Sequence, residues 1–244
     1  MPLVNAPDHF IAATPPQTPP AGACPLTLPC GTLLWLLPER AVWWPAAGSV
    51  FVADVHFGKA AAFRRAGQPV PHGTTAGNLA RLDAVLAATG ARRLVFLGDF
   101  LHARSGAEEG LWKQLRPWRA RHAAVQMTLV RGNHDRHAGD PPAQLAMARV
   151  DEPWPPVPGA PVLACHHPQA VAGHTVLAGH WHPVVRLRGR AHDTLSAPCF
   201  GWGDGQLVLP AFGAFTGASP VALPRHWRPF AAAPGQVVRV PPAA

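Results

Sequence analysis

The chain has 244 residues, of which 48% are hydrophobic and only 14% charged, so it can bury a sizeable core and is not a disordered polymer. Its formal net charge is +8 with 14 histidines besides, nearly all of it from arginine, a balance that suits a phosphate-rich partner although no dense Lys/Arg run is present. The four cysteines form no Cys-x-x-Cys pair, which argues against a disulfide scaffold, and no uncharged apolar run reaches the ~18 residues of a membrane span.

Residues 1–29 are rich in Pro, Ala and Thr, and they lack the Lys or Arg that opens a secretory signal. They read as a disordered, Pro-rich leader to one domain over 30–244, in a soluble, cytoplasmic protein. Two short strands are expected over Thr32–Leu37 and Ala41–Trp44, split by a Pro38-Glu39-Arg40 turn. The apolar run Ser49–Ala53 then reads as a buried strand that stops at Asp54-Val55-His56. A short helix over Lys59–Ala66 and a longer one over Thr74–Thr89 follow, the latter capped by Thr74 or Thr75 and closed by Gly90. Arg93–Leu97 is the next strand, ending at Gly98-Asp99. Ala107–Arg121 reads as a helix that Pro117 should kink or shorten. A third strand, Val125–Val130, runs into Arg131-Gly132-Asn133-His134-Asp135.

Beyond His137 the texture changes. A helix is expected over Pro141–Ala148, and then strands over Pro161–Ala164, Thr175–Ala178, Val184–Leu187, Leu207–Pro210 and Gln236–Val240. The fold class is therefore α/β: two sheets packed as a sandwich, helices outside, with polar residues delivered at strand C-terminal ends.

Those polar residues form a pattern. Asp54 and His56 lie two apart, as do His180 and His182, and in extended chain side chains two apart face one way. Asp99 follows a glycine, Asn133 offers an uncharged amide oxygen, and Cys165-His166-His167-Pro168 adds an imidazole from either His166 or His167. Mixed nitrogen and oxygen donors suit Mn2+, Fe2+, Zn2+ or Co2+ better than Mg2+ or Ca2+. There are more donors than one tetrahedral ion needs, so two ions are expected, with water as the nucleophile. His134 is then free to act as a proton donor, with Asp135 orienting it. Arg64, Arg65, Arg104, Arg131 and Arg136, with Lys59, are candidates for gripping phosphate. His102 and His137 read as ordinary imidazoles beside the motifs, and Cys165 as a buried apolar residue pointing away from His166.

Asp54-x-His56, Gly98-Asp99, Gly132-Asn133-His134-Asp135, His166 and Gly179-His180-x-His182 resemble, in order, the five motifs of the calcineurin-like metallophosphoesterases. Asp54–Ala60, Phe63–Gly67, Gly98–His102, Cys165–Pro168 and Leu209–Gly217 further resemble the bacterial ligase-associated DNA damage response endonucleases. That resemblance implies one metal on Asp54, His56, Asp99 and His182, and a second on Asp99, Asn133, His166 and His180. It implies Mn2+ as the metal, His134 as the catalytic acid, nucleic acid as substrate and a DNA ligase among the partners. A phosphatase or pyrophosphatase acting on a small nucleotide or lipid-linked ester is the alternative, since one metal core serves all of these.

Overall fold

The computed structural model describes residues 18–70, 72–106, 108–188, 194–216 and 222–241. Two seven-stranded sheets pack face to face. The first holds β1 (Cys24–Thr27), β2 (Leu33–Leu37), β3 (Ala41–Trp44), β4 (Ser49–Val52), β5 (Arg93–Leu97), β6 (Gln126–Val130) and β7 (Met147–Val150), in that order across the sheet. β1 to β4 are antiparallel neighbours, whereas β4, β5, β6 and β7 run parallel. Parallel neighbours need crossovers, and the helices supply two of them. α1 (Lys59–Arg65) and α2 (Thr74–Thr89) lie between β4 and β5, and α3 (Glu109–Arg121) lies between β5 and β6. A short α4 (Asn133–Ala138) follows β6.

The second sheet comes from the later chain: β8 (Val162–Ala164), β9 (Thr175–Ala178), β10 (Val184–Arg188), β11 (Thr194–Gly203), β12 (Gln206–Val208), β13 (Arg228–Ala233) and β14 (Gln236–Arg239). Its order is β14-β13-β11-β12-β9-β8, with β10 paired to β11. β8, β9 and β12 are parallel, so β8 and β9 also end on the same side.

The sandwich interior is the apolar seam between the sheets. Phe51, Val95, Leu97 and Val130 of the first sheet meet Ala164, Leu177, Phe200 and Leu207 of the second. Alternate residues of the first sheet, such as Val50, Val52, Leu94 and Phe96, face outward and are covered by Leu79, Leu82, Leu115 and Trp118 of α2 and α3. The strands β4 to β6 read as continuous apolar runs because both their faces are buried. At the sandwich edge the Val237 amide donates to the Gly22 carbonyl at 2.8 Å, tying β14 to the segment before β1.

Three expectations need correction. β1 lies within the supposed leader, and Leu26 and Leu28 are buried, so ordered chain begins before residue 30; residues 1–17 lie outside the described part. The helix expected over 141–148 is a 3-10 turn at Ala143–Leu145 followed by β7. Pro141 and Pro142 donate no amide protons, Ala146 turns to φ 44°, and Met147–Val150 pairs with the edge of β6. α2 starts after Gly73 at φ 85°, with no threonine side chain capping it. α3 runs from Glu109 through Pro117 to Arg121, its expected end. The carbonyl that loses its bond to Pro117 belongs to Lys113, and both residues are on the exposed face, where water can serve it. β11 and β13 were not expected as strands: Pro198 and Pro229 interrupt their apolar patterns.

Candidate metal centre

The C-terminal ends of five parallel strands converge at one end of the sandwich. β4 leads to Asp54 and His56, β5 to Asp99, β6 to Asn133, β8 to His166, and β9 to His180 and His182. All seven expected ligands meet there. The Asp54 Oδ1 lies 3.3 Å from His182 Nε2 and 3.9 Å from His166 Nδ1. Asp99 joins the two sheets: its Oδ2 is 3.7 Å from His56 Nε2, and its Oδ1 is 3.5 Å from His166 Nε2. Asp54, His56, Asp99 and His166 are all buried.

The convergence does not arise as the sequence spacing suggests. Asp54 (φ 54°), His56 (φ 49°), Asp99 (φ 50°), His180 (φ 68°) and His182 (φ 44°) all have left-handed backbone. They are not extended, so the two-residue spacing does not aim them; tight left-handed turns do. Such conformations cost of order 1–3 kcal/mol each and persist only where the surroundings enforce them. Backbone and carboxylate bonds do so here. His180 donates its amide to Asp54 Oδ2 at 2.8 Å, and the His56 amide donates to the Asp99 carbonyl at 2.9 Å. Two glycines make room. A Cβ on Gly98 would stand 2.1 Å from His166 Nδ1, and one on Gly132 would stand 2.4 Å from Asp99 Oδ1.

The donor set fits a cation. His166 Nδ1 faces the Leu97 carbonyl at 3.0 Å, so it carries the proton and Nε2 carries a lone pair. That Nε2 faces Asn133 Oδ1 at 2.9 Å, Asp99 Oδ1 at 3.5 Å and His180 Nδ1 at 3.1 Å. The two oxygens have no proton to share with it, and lone pairs crowded this closely call for positive charge between them. On the other side, Asp54 Oδ1 and both ring nitrogens of His56 are buried and find no hydrogen-bond partner among the described residues. Donor atoms of Asp54, His56 and His182 lie within 4.8 Å of one another, and so do those of Asp54, Asp99 and His166. Burial raises the Asp99 carboxyl and, with Lys59 and nearby imidazoles, holds the His56 ring far below the usual imidazole range. Burial also lowers His180. Neutral imidazoles are the form that binds metal.

His134 opens α4. Its amide donates to Asp99 Oδ1 at 3.0 Å, and its Nδ1 faces the His102 carbonyl at 2.8 Å. That leaves Nε2 turned to the centre, 3.9 Å from Asp99 Oδ2. Asp135 does not orient this ring, contrary to expectation. It is buried, and its carboxylate accepts the Gly132 amide at 3.0 Å and the Leu101 amide at 3.2 Å. Burial lifts its carboxyl to about 6, against those two bonds. It therefore caps α4 and ties it to the loop after β5.

Two residues were missed as contributors. His102 stacks on His134 with ring centroids 5.2 Å apart, and its carbonyl takes the ring-orienting place expected of Asp135. Glu152 accepts the amides of His166 and His167 at 2.7 and 2.8 Å, and its other oxygen meets His167 Nδ1 at 2.6 Å. Burial pushes the Glu152 carboxyl up, but these bonds outweigh it and leave the group below its ordinary value. His166 is thus the buried member of the pair and His167 the outer one. His102 lies in the Gly98–His102 run beside the motif, whereas Glu152 sits in no spacing that marks it, 14 residues from its partner. Cys165 packs on the other face with Leu163, Val176 and Ala178, and burial lifts its thiol to about 12.

The arginines divide. Arg65 is ion-paired to Glu108 and Arg131 to Asp140 and Asp151, so both are engaged within the protein. Arg64 is partly buried on α1. Arg104 and Arg136 are exposed and form no ion pair among the described residues.

Residues 49–189, more than half of the chain, match the calcineurin-like phosphoesterase family. The chain belongs to that family. This phosphoesterase is similar in structure to the Pseudomonas putida nuclease MPE, with a TM-score of 0.76 at 42% identity over 89% of this chain and all of that one. The E. coli phosphoesterase Yfce aligns over 80% of this chain and 99% of its own at 16% identity, but its TM-score of 0.38 carries no weight. No curated protein matches by sequence. The chain is a metal-dependent phosphoesterase, a hydrolase of the two-sheet calcineurin-like fold. No helix among the described residues is long and apolar enough to cross a membrane.

Proposed function

We propose that this phosphoesterase is a dinuclear-metal phosphodiesterase that cleaves nucleic acid. The observation that carries the reading is the crowding of Asn133 Oδ1, Asp99 Oδ1 and His180 Nδ1 within 3.5 Å of His166 Nε2. One ion would rest on Asp54, His56, Asp99 and His182, the other on Asp99, Asn133, His166 and His180, with Mn2+ the ion we favour for this mixed set. Divalent ions bound there supply charge to polarise the phosphoryl group and to acidify water.

The chain's own residues do the rest. Asp99 reaches toward both sets of imidazoles and fixes their separation. The His102 carbonyl holds His134 Nδ1–H, so the exchanging nitrogen is Nε2. In the imidazolium form Nε2 gives its proton to the departing alkoxide oxygen as the P–O bond breaks. Exposed Arg104 and Arg136 offer free guanidinium forks to flanking phosphates. The 42% identity to a protein described as a nuclease supports a polymeric substrate. The reading extends, by family resemblance, to DNA repair in the cytoplasm with a DNA ligase as partner.

The test is a side-by-side assay of the purified chain with Mn2+ on single- and double-stranded DNA, RNA, bis-p-nitrophenyl phosphate and p-nitrophenyl phosphate. Cleavage of the polymers and the diester is expected. Turnover confined to monoesters or to small diphosphates would replace this reading with a phosphatase or pyrophosphatase. Co-purification with a DNA ligase checks the partner.

A further inference from the structure

The metal chemistry leaves a separate cavity unused. It encloses about 540 Å3 between the Pro38–Arg40 turn, α2, and the strands β11, β13 and β14. Among the described residues its wall is mainly apolar, with Pro38, Ala197, Pro198, Ala233 and Val238. Leu195 and Val238 stand 65% and 43% exposed, large apolar side chains that the fold leaves uncovered.

Two cations interrupt this apolar wall. Arg40 and Arg81 are both partly buried. Arg40 donates one N–H to the Ala211 carbonyl at 3.3 Å. Arg81 donates one to Asn78 Oδ1 at 3.0 Å and lays its guanidinium over the Phe212 ring, 4.7 Å from the centroid. Most of the five N–H donors on each fork are left over. Neither arginine forms an ion pair among the described residues; Glu39 acts on Arg81 only from beyond that range. Burial and the neighbouring Arg40 pull the Arg81 guanidinium down to about 10, and burial lowers Arg40 too. Two like charges in a half-dry wall are an unfavourable arrangement that one anion would relieve.

We infer that this cavity binds an amphipathic organic anion, its acidic head bridging Arg40 and Arg81 and its aliphatic body lying against Ala197, Pro198 and Val238. A small inorganic anion would leave the apolar wall wet. A neutral hydrocarbon would leave the arginines without a counter-ion. Only a molecule with both parts answers both features.

Calorimetric titration of the full-length, Mn2+-loaded chain tests this, with octanoate and octane-1-sulfonate as probes and acetate and 1-octanol as half-probes. The two amphipathic anions are expected to bind at one site, and each half-probe at least about tenfold more weakly, because it lacks either the charge-assisted bonds or the apolar contact. Arg81→Gln, which removes the charge, and Ser196→Trp, which fills the cavity from an exposed position, are each expected to weaken octanoate at least about tenfold. Melting temperature checks that each variant is folded, and Ser196→Trp keeps the test valid if Arg81→Gln is not. The two probes differ in head group, so unequal affinities would tell carboxylate from sulfonate preference within the same site. Octanol binding as tightly as octanoate overturns the inference. So does octanoate affinity unchanged in Ser196→Trp, which would put the anion elsewhere, at the metal centre for example. Absence of binding at millimolar octanoate overturns it as well.

Discussion

The two sheets bring unlike chemistry to the same end of the sandwich. From the first come the oxygens, Asp54, Asp99 and Asn133, with one imidazole, His56. From the second come imidazoles alone, His166, His180 and His182. The oxygen side offers carboxylate and amide oxygens, whereas the nitrogen side offers imidazoles, which bind metal in their neutral form. Neither sheet holds all seven donors by itself. The centre therefore exists only when the sandwich is closed, and the apolar seam of Phe51, Val95, Leu177 and Phe200 is what brings the two halves into register.

Asp99 is the place to break that arrangement. Asp99→Asn keeps the shape but removes the charge shared between the sheets, so several kcal/mol of transition-state stabilisation should go, about a thousandfold in diester hydrolysis. Metal content by mass spectrometry should fall with it; full metal loading and full activity would show that the sheets are not bridged there. His134→Ala tests the proton donor proposed at the end of the first sheet and should cost about a hundredfold in rate while metal content holds. Glu152→Gln tests the support of the second sheet. It weakens the grip on the His166–His167 amides and should lower metal affinity about tenfold, with the His134 step intact.

Arg104→Ala and Arg136→Ala sharpen the comparison from outside. Each should lower the slope of log affinity for DNA against log salt by about one, with little change on bis-p-nitrophenyl phosphate. The smallest effect is on the acid limb of stability. Burial, helped by Lys59 and His134, brings the His102 ring from its ordinary 6.5 down to about 4. The unfolded chain then takes up this proton before the folded one does. His102 thus contributes stability that is complete above 6.5 and is lost as pH falls through about 4. Asp135, lifted to about 6, runs the opposite way: its contribution is complete below 3.8 and lost as pH rises through about 6. Chemical denaturation of His102→Gln without metal should therefore show a flatter acid limb than the parent chain, and an unchanged slope would place that ring in a wetter setting than described.

Much of this was legible in residue order. The runs Ser49–Val52, Arg93–Leu97 and Gln126–Val130 announce buried strands because both faces are apolar, and each is followed by a donor residue. What was not legible is what depends on long-range pairing. β7 shows no strand pattern of its own, and its exposed Ala148 and Arg149 make sense only as an edge on β6. Glu152 looks like any surface acid until the β8 loop folds over it. Asp135 follows His134 in sequence, but the helical turn of α4 sends its side chain back to Gly132. Arg131 flanks the motif yet turns to Asp140, a pairing that spacing alone does not reveal.

The left-handed backbone of five candidate ligands carries a consequence for which residue types stand there. Among side chains with a Cβ, Asn, Asp and His enter that region most readily. Asp54, His56, Asp99, His180 and His182 are therefore drawn from the short overlap between what a metal accepts and what the turn accepts. Exchanging one for alanine takes away a donor and also leaves a poor occupant of the turn, so two defects are read as one. Glycine at the same position removes the donor and relaxes the turn. A chain with His182→Gly could thus hold less metal and yet melt later without metal than its alanine counterpart, a separation of coordination from conformation that the alanine variant conceals.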